Sequence, residues 1–223
     1  ARNFRQGNPF LKPEYTDSYE INFGRFSRGI SVNLGAYYRY TTDEIERFKQ
    51  VNEDGTSIAT YANIDEERTK GIEYNFVGTL RKNLRLMLSG SVYWDEINSD
   101  LFGSDYNKTI QGQRIRFTTM WNINPKTEFM FFMFYRPASD IAIGTMNALN
   151  FSSMSFKRKL MDDRLNLTLN IGDPFNLSGF GFRTWGDFDD DGTRDWEQYS
   201  ERKWQSRNIR LSIEYRFGKM EDK

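Results

Sequence analysis

The run Leu84-Arg85-Leu86-Met87-Leu88-Ser89-Gly90-Ser91-Val92-Tyr93-Trp94-Asp95 decides how this chain is to be read. Its even positions hold Leu84, Leu86, Leu88, Gly90, Val92 and Trp94, against Arg85, Met87, Ser89, Ser91, Tyr93 and Asp95 at the odd ones. A strand turns successive side chains to opposite faces, so this alternation predicts a strand with one greasy and one wet side. The same period recurs in both directions along the chain. Upstream, Ile30, Val32, Leu34, Ala36, Tyr38 and Tyr40 alternate with Ser31, Asn33, Gly35, Tyr37, Arg39 and Thr41. Downstream, Ile115, Phe117, Thr119, Trp121 and Ile123 alternate with Arg114, Arg116, Thr118, Met120 and Asn122. Leu165, Leu167, Leu169 and Ile171 oppose Asn166, Thr168 and Asn170, and Ile209, Leu211, Ile213, Tyr215 and Phe217 oppose Arg210, Ser212, Glu214 and Arg216. Weaker strands are expected at Glu14–Phe26, Gly71–Leu80, Glu128–Arg136 and Leu149–Phe156, which makes about nine.

These strands run to ~9–11 residues or more, the length a tilted strand needs to cross a bilayer, against about 5–6 for a soluble strand. The connections between them alternate in length. Ser27-Arg28-Gly29, Arg81-Lys82-Asn83, Asn124-Pro125-Lys126 and Leu160–Arg164 are short polar turns. Thr42–Lys70, Glu96–Gln111, Pro137–Ala148 and Asp173–Trp204 are long. Short turns on one rim and long loops on the other are the pattern of an outer-membrane barrel, whose long loops lie outside the cell. The expected fold class is therefore all-β, an antiparallel transmembrane β-barrel segment of about nine meandering strands. Bacterial single-chain barrels have even strand numbers, and an open sheet edge cannot face lipid. Residues 1–223 are accordingly expected to be the C-terminal portion of a larger barrel, its N-terminal strands lying outside this sequence.

Composition agrees. The 223 residues carry 31 Lys+Arg against 31 Asp+Glu, 16% aromatic side chains, no His and no Cys. Mean hydropathy is −0.74, yet so many rings exclude a disordered chain. No apolar run approaches a membrane helix, and the polar opening Ala1-Arg2-Asn3-Phe4-Arg5 has no signal-peptide pattern. Zero net charge disfavours nucleic acid as a partner. Without His or Cys, the Ser-His and Cys-His dyads and thiolate metal sites are excluded, so no enzyme is expected.

The segment Gly7-Asn8-Pro9-Phe10-Leu11-Lys12-Pro13-Glu14 resembles an Asn-Pro-x-Leu-Lys-Pro-Glu run found late in TonB-dependent outer-membrane receptors. Asp173-Pro174-Phe175-Asn176, the run Ser200-Glu201-Arg202-Lys203-Trp204-Gln205-Ser206-Arg207 and the closing Tyr215-Arg216-Phe217-Gly218-Lys219 are similar to the Bacteroidetes-type outer-membrane β-barrel family within that group. The resemblance covers nearly the whole chain, through short motifs. It implies a barrel section of a receptor-like protein in the bacterial outer membrane. By the same resemblance, energy-coupled uptake would use a plug domain and, through a TonB-contacting segment, the partner TonB; plug and segment lie N-terminal to the barrel and are absent from this sequence.

Several residue sets follow as candidates. Arg39, Glu73, Arg85, Arg114, Arg116, Arg136, Arg210, Glu214 and Arg216 are expected to line the lumen. Mixed charges of this kind line a solute path or, more often, form salt-bridge ladders that stiffen the wall. Ile209, Leu211, Ile213, Tyr215 and Phe217 form an aromatic-ended final strand, which the resemblance reads as an assembly signal for the barrel-assembly machinery. Met130, Phe132, Phe134 and Arg136 would face the lumen if Phe129, Phe131, Met133 and Tyr135 face lipid. A strand apolar on both faces suits packing against a plug, a neighbouring protein or a locally swapped register. Aromatics near strand ends (Tyr15, Tyr19, Phe26, Tyr38, Tyr40, Trp94, Trp121, Tyr135, Tyr215, Phe217) suit interfacial girdles. Asp43–Asn63, with Glu53-Asp54-Gly55 as its turn, reads as an extracellular hairpin.

One stretch carries metal chemistry. Asp187, Asp189, Asp191, Thr193 and Asp195 place oxygen ligands as a calcium loop does, with Gly192 at the sharp turn. Gln198 stands where an EF-hand has its bidentate Glu, so Ca2+ binding there would be weak, and a solvated acidic loop tip is the competing account. The expected function is binding and passage of a solute across the outer membrane. The alternative is a structural or interaction barrel with outer-membrane protein partners; lipid is the surrounding medium in both.

Overall fold

A computed structural model describes residues 3–51, 56–99, 107–142, 144–186, 194–203 and 206–217. Among them lie β1 (Asn3–Arg5), β2 (Tyr15–Ser27), β3 (Ile30–Val51), β4 (Ser57–Arg81), β5 (Leu84–Asn98), β6 (Asn107–Asn124) and β7 (Thr127–Arg136). The chain continues with β8 (Ser139–Ile141), β9 (Gly144–Met146), β10 (Leu149–Leu160), β11 (Leu165–Gly172), β12 (Phe180–Gly186), β13 (Trp196–Arg202) and β14 (Asn208–Tyr215). The described residues contain no helix. The main sheet is an antiparallel meander in the order β14-β11-β10-β7-β6-β5-β4-β3-β2, with β1 added in parallel to β4. Among the described residues it is not closed: β2 and β14 each pair on one side only.

The register sorts the side chains. Leu34 is opposite Tyr74, Tyr74 opposite Gly90, Gly90 opposite Ile115 and Ile115 opposite Tyr135. Directly opposed residues share a face, so the apolar sets of successive strands merge into one continuous belt. The belt runs on through Met154, Phe156, Leu167, Leu169, Leu211 and Ile213. The span Leu84–Trp94 covers about 33 Å at about 3.3 Å per residue, or about 23 Å once tilted by ~45°, close to the apolar band of an outer-membrane barrel.

Nothing in the described chain covers this belt. Ile64 and Ile110 are the buried apolar side chains among the described residues, whereas Ile21 is 74% and Ile213 65% exposed. A soluble two-layer fold would bury such a face against a second layer. Here the belt is left for hydrocarbon.

The short turns all lie on one rim. The β2–β3 turn closes through Arg28 and Gly29, whose φ of 81° favours glycine. On the other rim β3 and β4 stay paired beyond the belt to Val51 and Ser57. The expected hairpin over Asp43–Asn63 therefore exists; its Glu53-Asp54-Gly55 tip lies outside the described residues.

Two expectations about this rim need correction. Pro137–Ala148 and Asp173–Trp204 are more than connections, because they carry β8, β9, β12 and β13. These form a second sheet in the order β13-β12-β9-β8. Phe182 there pairs with Met146, far away in sequence. These strands are too short for local periodicity to betray them, and their pairing depends on partners brought together by the meander.

Candidate functional site

The polar face of the main sheet is built by the same register. Gly35 is opposite Glu73, Glu73 opposite Ser91 and Ser91 opposite Arg114. One rung away, Ser89 meets Arg116 and Arg116 meets Phe134. Arg39, Arg85, Arg136, Arg210 and Glu214 fall on this face too, and Arg216 follows the end of β14. The side is concave. Asn22, Asn33, Glu73, Asn75, Ser89, Ser91, Arg114, Arg116 and Phe134 line a hollow of about 590 Å³.

A salt-bridge ladder does not form there. Arg39 Nη2 lies 3.4 Å from Glu20 Oε1, and Arg216 Nε lies 3.0 Å from Glu214 Oε1. Arg85, Arg114, Arg116, Arg136, Arg210 and Glu73 make no ion pair among the described residues. Asp95 of β5 lies within electrostatic reach of Arg114 but forms no ion pair with it. Glu73 stands two strands from Arg114, about 9.6 Å across the sheet.

Glycines shape the wall above the hollow. Tyr37, Gly71, Tyr93 and Gly112 are successive cross-strand partners in one row. A Cβ on Gly71 would sit 2.6 Å from the Tyr37 ring, and one on Gly112 would sit 2.1 Å from the Tyr93 ring. Each ring therefore lies flat over the neighbouring strand, which only a missing side chain permits. A guanidinium caps each ring: Arg39 stands 4.7 Å from the Tyr37 centroid and Arg114 5.3 Å from that of Tyr93. Sequence reasoning passed over both tyrosines and both glycines; glycine inside a strand was the signal that could have found them.

Next to this region the polar face turns apolar. Met130, Phe132 and Phe134 do lie on it, with Phe151 of β10 beside Phe134 at 6.3 Å. Arg136 stacks over Phe180 of the second sheet at 5.8 Å, and its Nε and Nη2 are buried without a hydrogen-bond partner. Phe26, expected in an interfacial girdle, instead faces the polar side opposite Ser31.

Two signature motifs turn out to be structural. The segment before β2 crosses the long hairpin as a strap. Asn63 Nδ2 donates to the carbonyls of Lys12 (3.0 Å) and Asp43 (2.6 Å), while its Oδ1 accepts from Lys12 N (2.9 Å). Asn8 Nδ2 donates to Tyr61 O at 3.0 Å, and Glu14 Oε2 accepts from Ile45 N at 3.0 Å. Asn8, Lys12 and Glu14 of the motif thus tie the hairpin to the rim. In the second motif, buried Asp173 accepts from the backbone of Leu177 (3.0 Å) and Ser178 (3.2 Å) and from the Ser206 hydroxyl. Burial alone would push its carboxyl up; these bonds hold it below the usual range. Phe175 reaches edge-on to Phe131 at 6.3 Å and so extends the apolar belt.

Above the rim, burial pushes the Glu44 carboxyl up to about 9, helped by a hydrogen bond with Glu67 and by the charges of Glu67, Glu46 and Glu14. Burial raises Glu46 too. Of the calcium-loop residues, Asp187, Asp189, Asp191 and Thr193 lie outside the described residues. Asp195 is at the base of that loop, its N donating to Gly186 O at 3.0 Å. Ile209, Leu211, Ile213 and Tyr215 sit on the belt face of the free strand β14, with Phe217 packed edge-on against Tyr215 at 4.7 Å.

The family model of the outer membrane protein beta-barrel family matches residues 1–215. The chain belongs to the outer membrane protein β-barrel family. No curated protein and no solved structure gives a match. An outer-membrane β-barrel protein lies in the bacterial outer membrane, which is where a sheet with one bare apolar belt and one polar concave face is stable. In this outer-membrane protein the candidate site is accordingly the polar wall, rimmed by the strapped hairpin and the second sheet.

Proposed function

We propose that this chain is part of the wall of a receptor or transporter barrel that binds a solute and lets it cross the outer membrane. The observation that carries this is the set of arginines without carboxylate partners on the concave polar face. A wall built only for rigidity gains from pairing such charges; a wall that meets solutes gains from leaving them available. The free edges of β2 and β14 each leave a row of backbone groups unpaired, which is costly in lipid. Further strands paired to both edges would close the barrel around that face.

The motif resemblance supports a finer version, a TonB-dependent receptor whose plug domain gates the lumen and whose rim captures the solute. No bond chemistry is assigned to the chain. Outer-membrane vesicles carrying the full-length protein, incubated with spent growth medium and washed, should retain small molecules that vesicles without it do not. Identical retention by both would defeat the transport reading. The outer edge of β13 on the long-loop rim, unpaired among the described residues, favours a second reading, a structural or interaction barrel within a larger assembly. A constant protein partner cross-linked in intact cells, with no solute retained, selects that one.

A further inference from the structure

We infer that Arg114 and Arg116 form a binding site for an organic anion, one whose carboxylate or phosphate oxygens both guanidinium groups can engage. This rests on the polar face being the lumen of a closed barrel. The two arginines stand two residues apart on β6, on the same face, and both are exposed into the hollow. Their lateral neighbours are already in place. Arg114 is flanked by Ser91 on β5, and Arg116 by Ser89 on β5 and Phe134 on β7. These partners are uncharged; Arg136 on β7 and Asp95 on β5 stand within electrostatic reach of Arg114 without forming an ion pair with it, and no additional strand can be inserted between paired strands. Only something inside the lumen can reach the two guanidinium groups.

The contrast with Arg39 sharpens this. Both Arg39 and Arg114 rest on a tyrosine that lies over a cross-strand glycine. Arg39 pairs with Glu20; Arg114 is held in the same way and makes no ion pair among the described residues. A guanidinium fixed on a ring has lost much of its freedom before any ligand arrives, which favours planar, two-point recognition of an oxyanion. Ser89, Ser91, Asn33 and Asn75 around the hollow supply neutral hydrogen-bond groups for the remainder of a polar solute.

The test is isothermal titration of the full-length protein in detergent with citrate, with glucose 6-phosphate and with neutral glucose. At least one of the two anions should bind while glucose does not, and whichever binds more tightly identifies the preferred oxyanion. Paired R114Q and R116Q substitutions should weaken that binding about tenfold or more, R114K should fall between, and K82Q on a short turn should leave it unchanged. Heat-modifiable gel migration of each variant reports whether its barrel has folded. Should the pair R114Q and R116Q fail to fold, R114K, which keeps the charge, decides the point. Binding of neither anion overturns the site, as does binding that these substitutions leave intact. Wild-type protein without heat-modifiable migration would defeat the barrel reading, whereas a normal barrel indifferent to both anions defeats the anion site alone.

Discussion

Asn63 sits where three segments meet: the strap before β2, the Asp43 bend of β3 and its own strand β4. An amide side chain suits this place because it donates twice and accepts once, and no other small residue does both. Asn63→Ala should free the strap at a local cost of about 1–3 kcal/mol. The readout is limited proteolysis of whole cells, where the variant hairpin should be cut faster than wild type while the barrel stays intact. Equal cleavage rates would show that the strap is held by something else. Glu44 gives a second prediction at this scale. Its folded pKa of about 9 lies above the ordinary value of 4.5, so the folded hairpin keeps a proton that the opened one loses. The stability it contributes is present below about 4.5 and declines as pH rises toward about 9. Hydrogen exchange in the hairpin should therefore quicken between pH 6 and pH 9 beyond the intrinsic rate change, and Glu44→Gln should flatten that excess.

At the scale of the element, β5 shows how two environments share one strand. Leu88 lies mid-belt with Phe76 and Phe117 as cross-strand partners, and Ser89 lies one residue on, between Asn75 and Arg116. Leu88→Arg should destabilise the folded protein by about 2–4 kcal/mol in a bilayer, the cost of a cation near the midplane on the lipid face. Ser89→Arg should cost much less, because its side chain enters the polar hollow. Denaturant unfolding in lipid vesicles measures both; similar losses would contradict the assignment of the two faces. The tyrosine-on-glycine row across β3–β6 is a device of the same scale. The absence of a side chain on one strand sets the pose of a ring on the next, and that ring sets an arginine.

For the whole molecule, the sorting of turns and hairpins defines an outside and an inside. These 223 residues contain no cysteine, so a cysteine introduced here is the one thiol within them, and the unsubstituted protein serves as the labelling control. Tyr61→Cys on the long hairpin should react with a membrane-impermeant maleimide added to intact cells. Lys82→Cys on the β4–β5 turn should react only after the outer membrane is opened. The reverse pattern would invert the protein in the membrane and move the strapped hairpin to the periplasmic side.

The alternation from Leu84 to Trp94, the sorting of the connections by length and the shared polar face of Arg39, Glu73, Arg85, Arg114 and Arg116 were legible without coordinates. Each depends on the local period of a strand or on chain spacing, and both are properties of neighbouring residues. The second sheet was not legible, because Phe182 finds Met146 only after the meander has aligned the ends of β7 and β11. Nor was the fate of the arginines. Sequence tells which side of a strand Arg39 and Arg114 occupy, but register decides that Arg39 reaches Glu20 while Arg114 lies opposite Ser91 and makes no ion pair among the described residues. By itself, then, the sequence determined a two-faced, membrane-spanning sheet, since hydrophobic periodicity is written residue by residue. The pairing of charges, the rings laid over Gly71 and Gly112, and the strap across the hairpin were decided by tertiary structure, because each joins strands whose relative register no single strand encodes.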